Sequence, residues 1–355
     1  MTTDLKIQEQ LKNIASMHEK MVKESTPAPR TFNDLVFVKD TDLADKLGPP
    51  QEYLFYETFL TKEIGVIPKG EPCMIAAPGG TGKSFLALGC AISAASGVGW
   101  LDYKPKKPVK TIYIGAEDNQ NTLGNRFYRL LRGMDVDKDP ICFKNLKKNL
   151  ALWGLKGQRL SLINNQGSPT QVYDDLKFKM EQEEDIGLIV LDPARSFMAR
   201  DTEADNGAAS EWKDLICAMT EISSRPTVLV THHTNKSAIR GTGKDSVPAF
   251  DQSIVRGASA LVDGFRWILS MQKLVLENER KIFMKITKSN FSESDVITEW
   301  KFNYDLGGIY EKINKKNDIT KSLSSNSSLH NIISRKNEYV ESSLDTGLIY
   351  SDHSI

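Results

Sequence analysis

The stretch that most restricts this chain is APGGTGKS, residues 77–84, reached directly from the apolar run PCMIA. Gly79, Gly80 and Gly82 let successive backbone N–H groups turn inward, and a helix beginning at Lys83 adds its positive N-terminal end to the same place. The pattern is G-x-x-x-x-G-K-[ST] with Ala77 at its first position, and its chemistry is that of a phosphate cradle. Lys83 is the residue to reach the outer phosphates and Ser84 the one to hold Mg2+. The competing reading is an ordinary glycine-rich turn, but the strand before the loop and the helix after it favour the cradle. The expected nucleotide-binding set is therefore Gly79, Gly80, Thr81, Gly82, Lys83, Ser84 and Phe85, with ATP and Mg2+ as ligands.

From about residue 64 strand and helix patterns alternate: PCMIAA, a helix from Lys83, VKTIYIGA, NTLGNRFYRLLRG, DIGLIVLD and RPTVLVTHH. Short, almost wholly apolar strands such as IGLIVL are covered on both faces, so the expected fold is α/β with a mostly parallel sheet flanked by helices. After about residue 275, RKIFMKITKSN, VITEWKFNY and GGIYEKI alternate and carry turn signals, which predicts an antiparallel extension at the C-terminal end of the sheet.

A phosphate site of this type needs an acid at the end of a neighbouring strand. DIGLIVLD supplies Asp192, placed to bind Mg2+ directly or through water. Pro193 follows it where many ATPases carry a glutamate, so the base that activates water has to come from another strand. TIYIGAED offers Glu117 at the carboxyl edge, against the plainer reading of a solvated strand-end acid. TVLVTHH ends in His232 and His233, and a histidine there can sense a γ phosphate if its strand is adjacent. The histidine pair lacks a third ligand at useful spacing, which excludes a zinc site.

The long polar segment TNKSAIRGTGKDSVPAFDQS carries Lys236, Arg240 and Lys244, charges suited to tracking a nucleic-acid backbone, although a solvated loop has the same composition. In SIVRGASALVDGFRWILSM, Arg256 and Arg266 interrupt an apolar run, and such an arginine needs an anion. That anion is either an internal acid such as Asp263 or a neighbouring subunit's γ phosphate, with Arg266 as the finger.

Lys+Arg and Asp+Glu both number 46, so contact with DNA must come from local clusters and not from a global field. The four cysteines form no C-x-x-C pair, and no apolar run approaches membrane-spanning length; a cytoplasmic protein without a membrane anchor is expected. Three regions follow: an amphipathic helix and linker over 1–50, an ATPase core over 51–312, and a Ser/Asn-rich mobile tail over 313–355. The helix is expected to pack on its own domain or to dock on a neighbouring subunit.

In that order APGGTGKS, GAED, LIVLD, VTHHTNK, RGASALVDGFRW and ITKSNF resemble the RepA family of hexameric replicative helicases from broad-host-range plasmids, within the RecA/DnaB-like ATPases. The likeness covers about residues 60–310, and the last two blocks are its most distinctive part. It implies a RecA-like P-loop NTPase core, a homohexameric ring with ATP at subunit interfaces, single-stranded DNA in the channel, and initiator or primase partners. By motif it gives Lys83 and Ser84 to phosphate and Mg2+, Glu117 to water activation, Asp192 to Mg2+, His233 to γ-phosphate sensing and Arg266 to the trans finger. Arg126, in NTLGNRFYRL, aligns with an arginine near the nucleotide or the interface. Two other readings carry the same motifs: a filament-forming recombination ATPase, and a nucleotide-switched oligomeric scaffold that does not translocate.

Overall fold

The computed structural model describes residues 50–59, 61–200, 202–234, 250, 255, 259–276, 279–291 and 296–313. Apart from Pro50 and Ile313, the expected N-terminal arm and C-terminal tail lie outside these residues, as do Lys236, Arg240, Lys244 and Arg256.

Among the described residues, twelve strands form two sheets, one of three strands and one of nine. The large sheet has the order β12-β11-β10-β9-β3-β8-β7-β5-β6. Its centre is β3 (Pro72–Ala77), flanked by β8 (Thr227–His233) and β9 (Trp267–Leu276), with β7 (Ile186–Asp192), β5 (Lys110–Gly115) and β6 (Leu150–Gly154) beyond β8. These strands all run parallel. Beyond β9 the sheet turns antiparallel through β10 (Glu279–Ser289), β11 (Thr298–Asn303) and β12 (Ile309–Lys312), the extension that the alternating C-terminal segments predict.

Residues of β3 and β7 are buried along their whole length, yet they serve two layers. Cys73, Ile75 and Ala77 pack with Leu188, Val190 and α1 (Lys83–Ser96); Met74 and Ala76 pack with Ile189, Leu191 and α5 (Asn206–Thr220). Side chains of a strand point alternately to opposite faces, so a run apolar at every position is what a sheet covered on both sides demands. Helix α1 meets its face with Ala87, Gly89, Cys90, Ala91, Ala94 and Ala95, small residues that allow close approach, and Gly97 in the left-handed region (φ 91°) ends it.

Three of the other helices start where short polar side chains take orphan N–H groups. Asn119 accepts from Thr122 at the head of α2 (Gln120–Gly133), and Asp139 accepts from Ile141 and Cys142 ahead of Pro140 in α3 (Pro140–Asn149). Asp205 accepts from Ala208 at the head of α5. Helices α4 (Gln171–Gln182) and α6 (Ser259–Gly264) complete the set among the described residues.

The small sheet, β2-β1-β4, is one that the sequence pattern did not suggest, and its β1 precedes the point, about residue 64, from which strands were expected. It joins β1 (Tyr53–Phe59), β2 (Lys62–Pro68) and the three-residue β4 (Tyr103–Pro105), and Phe55 packs against Trp100 with ring centroids 5.6 Å apart. Mixed polar and apolar residues leave little periodic signal here. Trp212 anchors the opposite layer: it is fully buried, its indole donates to the Phe197 carbonyl at 3.1 Å, and Phe265 lies beside it. Replacing it by alanine is expected to destabilise the fold by about 3–5 kcal/mol, read as a lower midpoint in urea unfolding.

Candidate functional site

The carboxyl edge of the parallel strands gathers the residues that the sequence marks. Open sheets of this kind place ligands outside that edge, where strand ends and helix starts meet. β3 runs into the glycine loop, and the loop into α1. Gly80 (φ 69°) and Gly82 (φ 96°) occupy the left-handed region, and added Cβ atoms at Gly79 or Gly80 would meet open space. Gly82 is the N-cap of α1 without a side-chain hydrogen bond, and the first turn holds no acid, so the N-terminal amides of the helix are left for an anion.

Lys83 is 8% exposed, and no carboxylate among the described residues lies within ion-pair distance of it. A buried ammonium of this kind fits a phosphate oxygen as its counter-charge. Ser84 follows on the first turn, half-buried. Thr81 is buried, and its hydroxyl donates to the Pro78 carbonyl at 2.8 Å, holding the loop closed on itself. The residues present therefore suit the phosphates of a nucleotide and an accompanying Mg2+.

Neighbouring strands deliver the other groups. The register pairs Ala77 with His233 on β8, so the adjacency that γ-phosphate sensing requires is met. It also pairs Gly115 with Asp192, and the Ala116 amide donates to the Asp192 carbonyl at 2.8 Å. Asp192 is 4% exposed, and its carboxylate accepts from Tyr113 and Thr231. Glu117 stands just beyond β5 and is exposed, free to meet water; the next residue, Asp118, is buried and ion-paired with Arg126. Burial pushes the Asp118 carboxyl above its usual range, the charges of Asp192 and Glu117 add to this, and the Arg126 guanidinium opposes it.

The C-terminal extension closes over the loop. The Tyr310 hydroxyl on β12 donates to the Thr81 carbonyl at 3.3 Å, and a Cβ on Gly82 would collide with that hydroxyl. Phe85 stacks edge-on against Phe302 and Tyr304, with centroids 5.5 and 5.9 Å away, while the Arg126 guanidinium sits over its ring at 5.7 Å. From Phe85 a cleft of about 970 Å³ extends between α2 and the turn after β11, lined by Arg126, Arg129, Arg132, Asn125, Tyr304 and Asp305 among others. Arg129 lies over the Tyr304 ring at 4.4 Å. A cationic, aromatic cleft that begins at Phe85, the residue after the phosphate loop, offers stacking and positive charge to a ring-bearing anionic ligand.

Arg266 is elsewhere. Its amide donates to the Pro72 carbonyl at 3.0 Å, which puts it at the amino edge of the sheet, a full strand away from the loop. It is exposed and not embedded in the apolar run, because that run splits between α6 and β9 with Arg266 at the junction; no ion pair to Asp263 forms. Lys288 stands near it with its ammonium on the Val262 and Asp263 carbonyls at 2.9 and 3.1 Å. Burial lowers the Lys288 pKa, the charge of Asp263 opposes this, and the charge of Arg266 adds to the lowering.

Sequence reasoning passed over Asp118, Tyr113, Thr231 and Tyr310. Asp118 had a signal in its eight-residue spacing from Arg126, whereas a tyrosine or threonine in a strand is ordinary and only tertiary contact distinguishes it. Residues 39–238, more than half of the 355-residue chain, match the profile of AAA_25, described as an AAA domain. The matched span contains the phosphate loop, Glu117, Arg126, Asp192 and His233.

Gly82→Ala is expected to weaken binding of a fluorescent ATP analogue at least tenfold while circular dichroism stays native-like, since the added methyl strains only the loop and its Tyr310 contact. Tyr310→Phe removes one hydrogen bond and should cost about 1 kcal/mol in thermal unfolding, with nucleotide affinity reduced far less than by Gly82→Ala.

Proposed function

The chain belongs to the AAA_25 family of AAA domains, P-loop ATPases related to the RecA/DnaB-like helicases, and on that premise we propose that it is an ATP-driven DNA helicase. In this reading it assembles as a homohexameric ring, translocates on single-stranded DNA, and acts in replication of a plasmid or other mobile element with initiator or primase partners.

The observation that carries the proposal is the division of charged groups between the two edges of one sheet. The loop, Glu117, Asp192 and His233 stand at the carboxyl edge, and Arg266 stands beside Pro72 at the amino edge. β3 is six residues long, so roughly 17 Å of extended chain separate Arg266 from its own loop. A side chain so placed serves a neighbouring copy if it serves a phosphate at all, and Arg266 is exposed and makes no ion pair among the described residues.

Within the proposal each residue has one task. Lys83 and the loop amides hold the phosphates, and Ser84 with Asp192 would hold Mg2+. The metal supplies charge neutralisation at the phosphates when bound. Glu117 accepts a proton from the attacking water, His233 senses the outer phosphate from the strand beside β3, and Arg266 of an adjacent subunit stabilises developing charge. Arg126, Arg129 and Tyr304 grip the base side. Lys236, Arg240 and Lys244 follow β8 directly, so a change at His233 has a short route to the DNA loop.

The test is the ATPase rate of the full-length protein with and without single-stranded DNA, with Lys83→Ala as the blank. DNA should raise the rate, and the variant should be inactive; a rate indifferent to DNA overturns the motor and leaves the nucleotide-switched scaffold. Arg266→Ala should keep nucleotide affinity and lose turnover by about 10³-fold or more. Mixing Arg266→Ala with Lys83→Ala subunits should restore part of the activity, because some interfaces then carry one intact half from each.

A further inference from the structure

A hydrogen-bonded row crosses three strands beneath the phosphate site. Tyr113 on β5 donates its phenolic hydrogen to Asp192 Oδ2 at 2.6 Å, and the Thr231 hydroxyl on β8 donates to Oδ1 of the same carboxylate. All three residues are buried. The register explains the choice of side chains. Tyr113 lies opposite Val190, two residues before the Gly115↔Asp192 pair, so a side chain of phenol length is needed to come level with the carboxylate. On the other side Asp192 follows the Leu191↔Val230 pair, level with Thr231, where a short hydroxyl suffices.

Each carboxylate oxygen has two lone-pair sites, and each spends one on a protein donor. Donors approaching from both flanking strands leave the carboxylate no freedom to swivel, and the remaining lone pair of each oxygen stays in a fixed direction. Glu117 stands two residues beyond the end of β5, and β8 ends at His233, so the row also ties together the strands that lead to the water-activating and phosphate-sensing candidates.

We propose that Tyr113 and Thr231 are positioning residues for the divalent cation: by clamping Asp192 from both sides they set the affinity for Mg2+ without contributing to the affinity for the nucleotide. This rests on the reading of the loop and Asp192 as an ATP–Mg2+ site.

The full-length protein is titrated with Mg2+ at saturating ADP, and bound divalent cation is read as the rise in melting temperature; ADP affinity in excess EDTA is measured separately. Tyr113→Phe keeps the ring and removes one donor, and Thr231→Val keeps the shape and removes the other. Each should raise the half-saturating Mg2+ concentration roughly tenfold, the usual effect of losing a hydrogen bond that orients a metal ligand. ADP affinity in EDTA should stay within twofold of the parent protein. If one variant does not fold, the other carries the test alone. An unchanged Mg2+ midpoint in a folded variant overturns the clamp, as does an equal loss of ADP affinity in EDTA. If the parent protein gains no Mg2+-dependent stabilisation and Lys83→Ala behaves identically, the ATP–Mg2+ reading itself falls.

Discussion

Glu117, Asp192, His233 and the Lys83 loop come from four separated stretches of chain, and the parallel ladder β5-β7-β8-β3 is what gathers them. Parallel pairing forces every strand to finish at the same edge, and the helices that return the chain cover both faces. The register then decides fine placement: Ala77 beside His233, Gly115 beside Asp192. A one-residue slip of β7 would turn Asp192 toward the opposite face and replace it with an aliphatic side chain. The apolar content of these strands thus does chemical service, because it is burial on both faces that holds the register.

The loop itself is held from two directions. Beneath it, α1 packs through alanines, glycine and cysteine and presents an uncapped N-terminus. Above it, the antiparallel extension brings Tyr310 to the Thr81 carbonyl and interlocks Phe302 and Tyr304 with Phe85. The buried Lys83 side chain meets no carboxylate among the described residues, and an anion is the counter-charge that suits it. A similar tension marks Asp118, where burial raises the carboxyl pKa and Arg126 opposes it. That pair keeps Arg126 at the mouth of the cleft, over the Phe85 ring.

The amino edge has a different character. Arg266 is exposed, Lys288 is tied to the carbonyls that end α6, and burial raises the Glu71 carboxyl even though Arg266 and Arg225 both act to lower it. Placing a phosphate loop at one edge of a sheet and an exposed arginine at the other makes each subunit half of two sites in the proposed assembly. This is a geometric property of the sheet order and needs no contact within one chain.

Much of this was legible beforehand, for physical reasons. Glycines followed by Lys and Ser between an apolar strand and a helix admit few structures, and fully apolar strands require a two-sided sheet. Alternation after residue 275 foretold the antiparallel extension. Other features gave no local signal. The small sheet from β1, β2 and β4 has weak periodicity; Arg266 looked embedded because its neighbours in sequence are apolar, while its neighbours in space include solvent. The sequence by itself determined the phosphate chemistry and the α/β class, since backbone freedom and side-chain charge at consecutive positions are local properties. Only the tertiary structure decided that Asp118 claims Arg126, that Tyr113 and Thr231 clamp Asp192, that Tyr310 covers Gly82, and that Arg266 faces away from its own loop. Each of those depends on strand order and register, which arise from long-range burial and are written in no single stretch of chain.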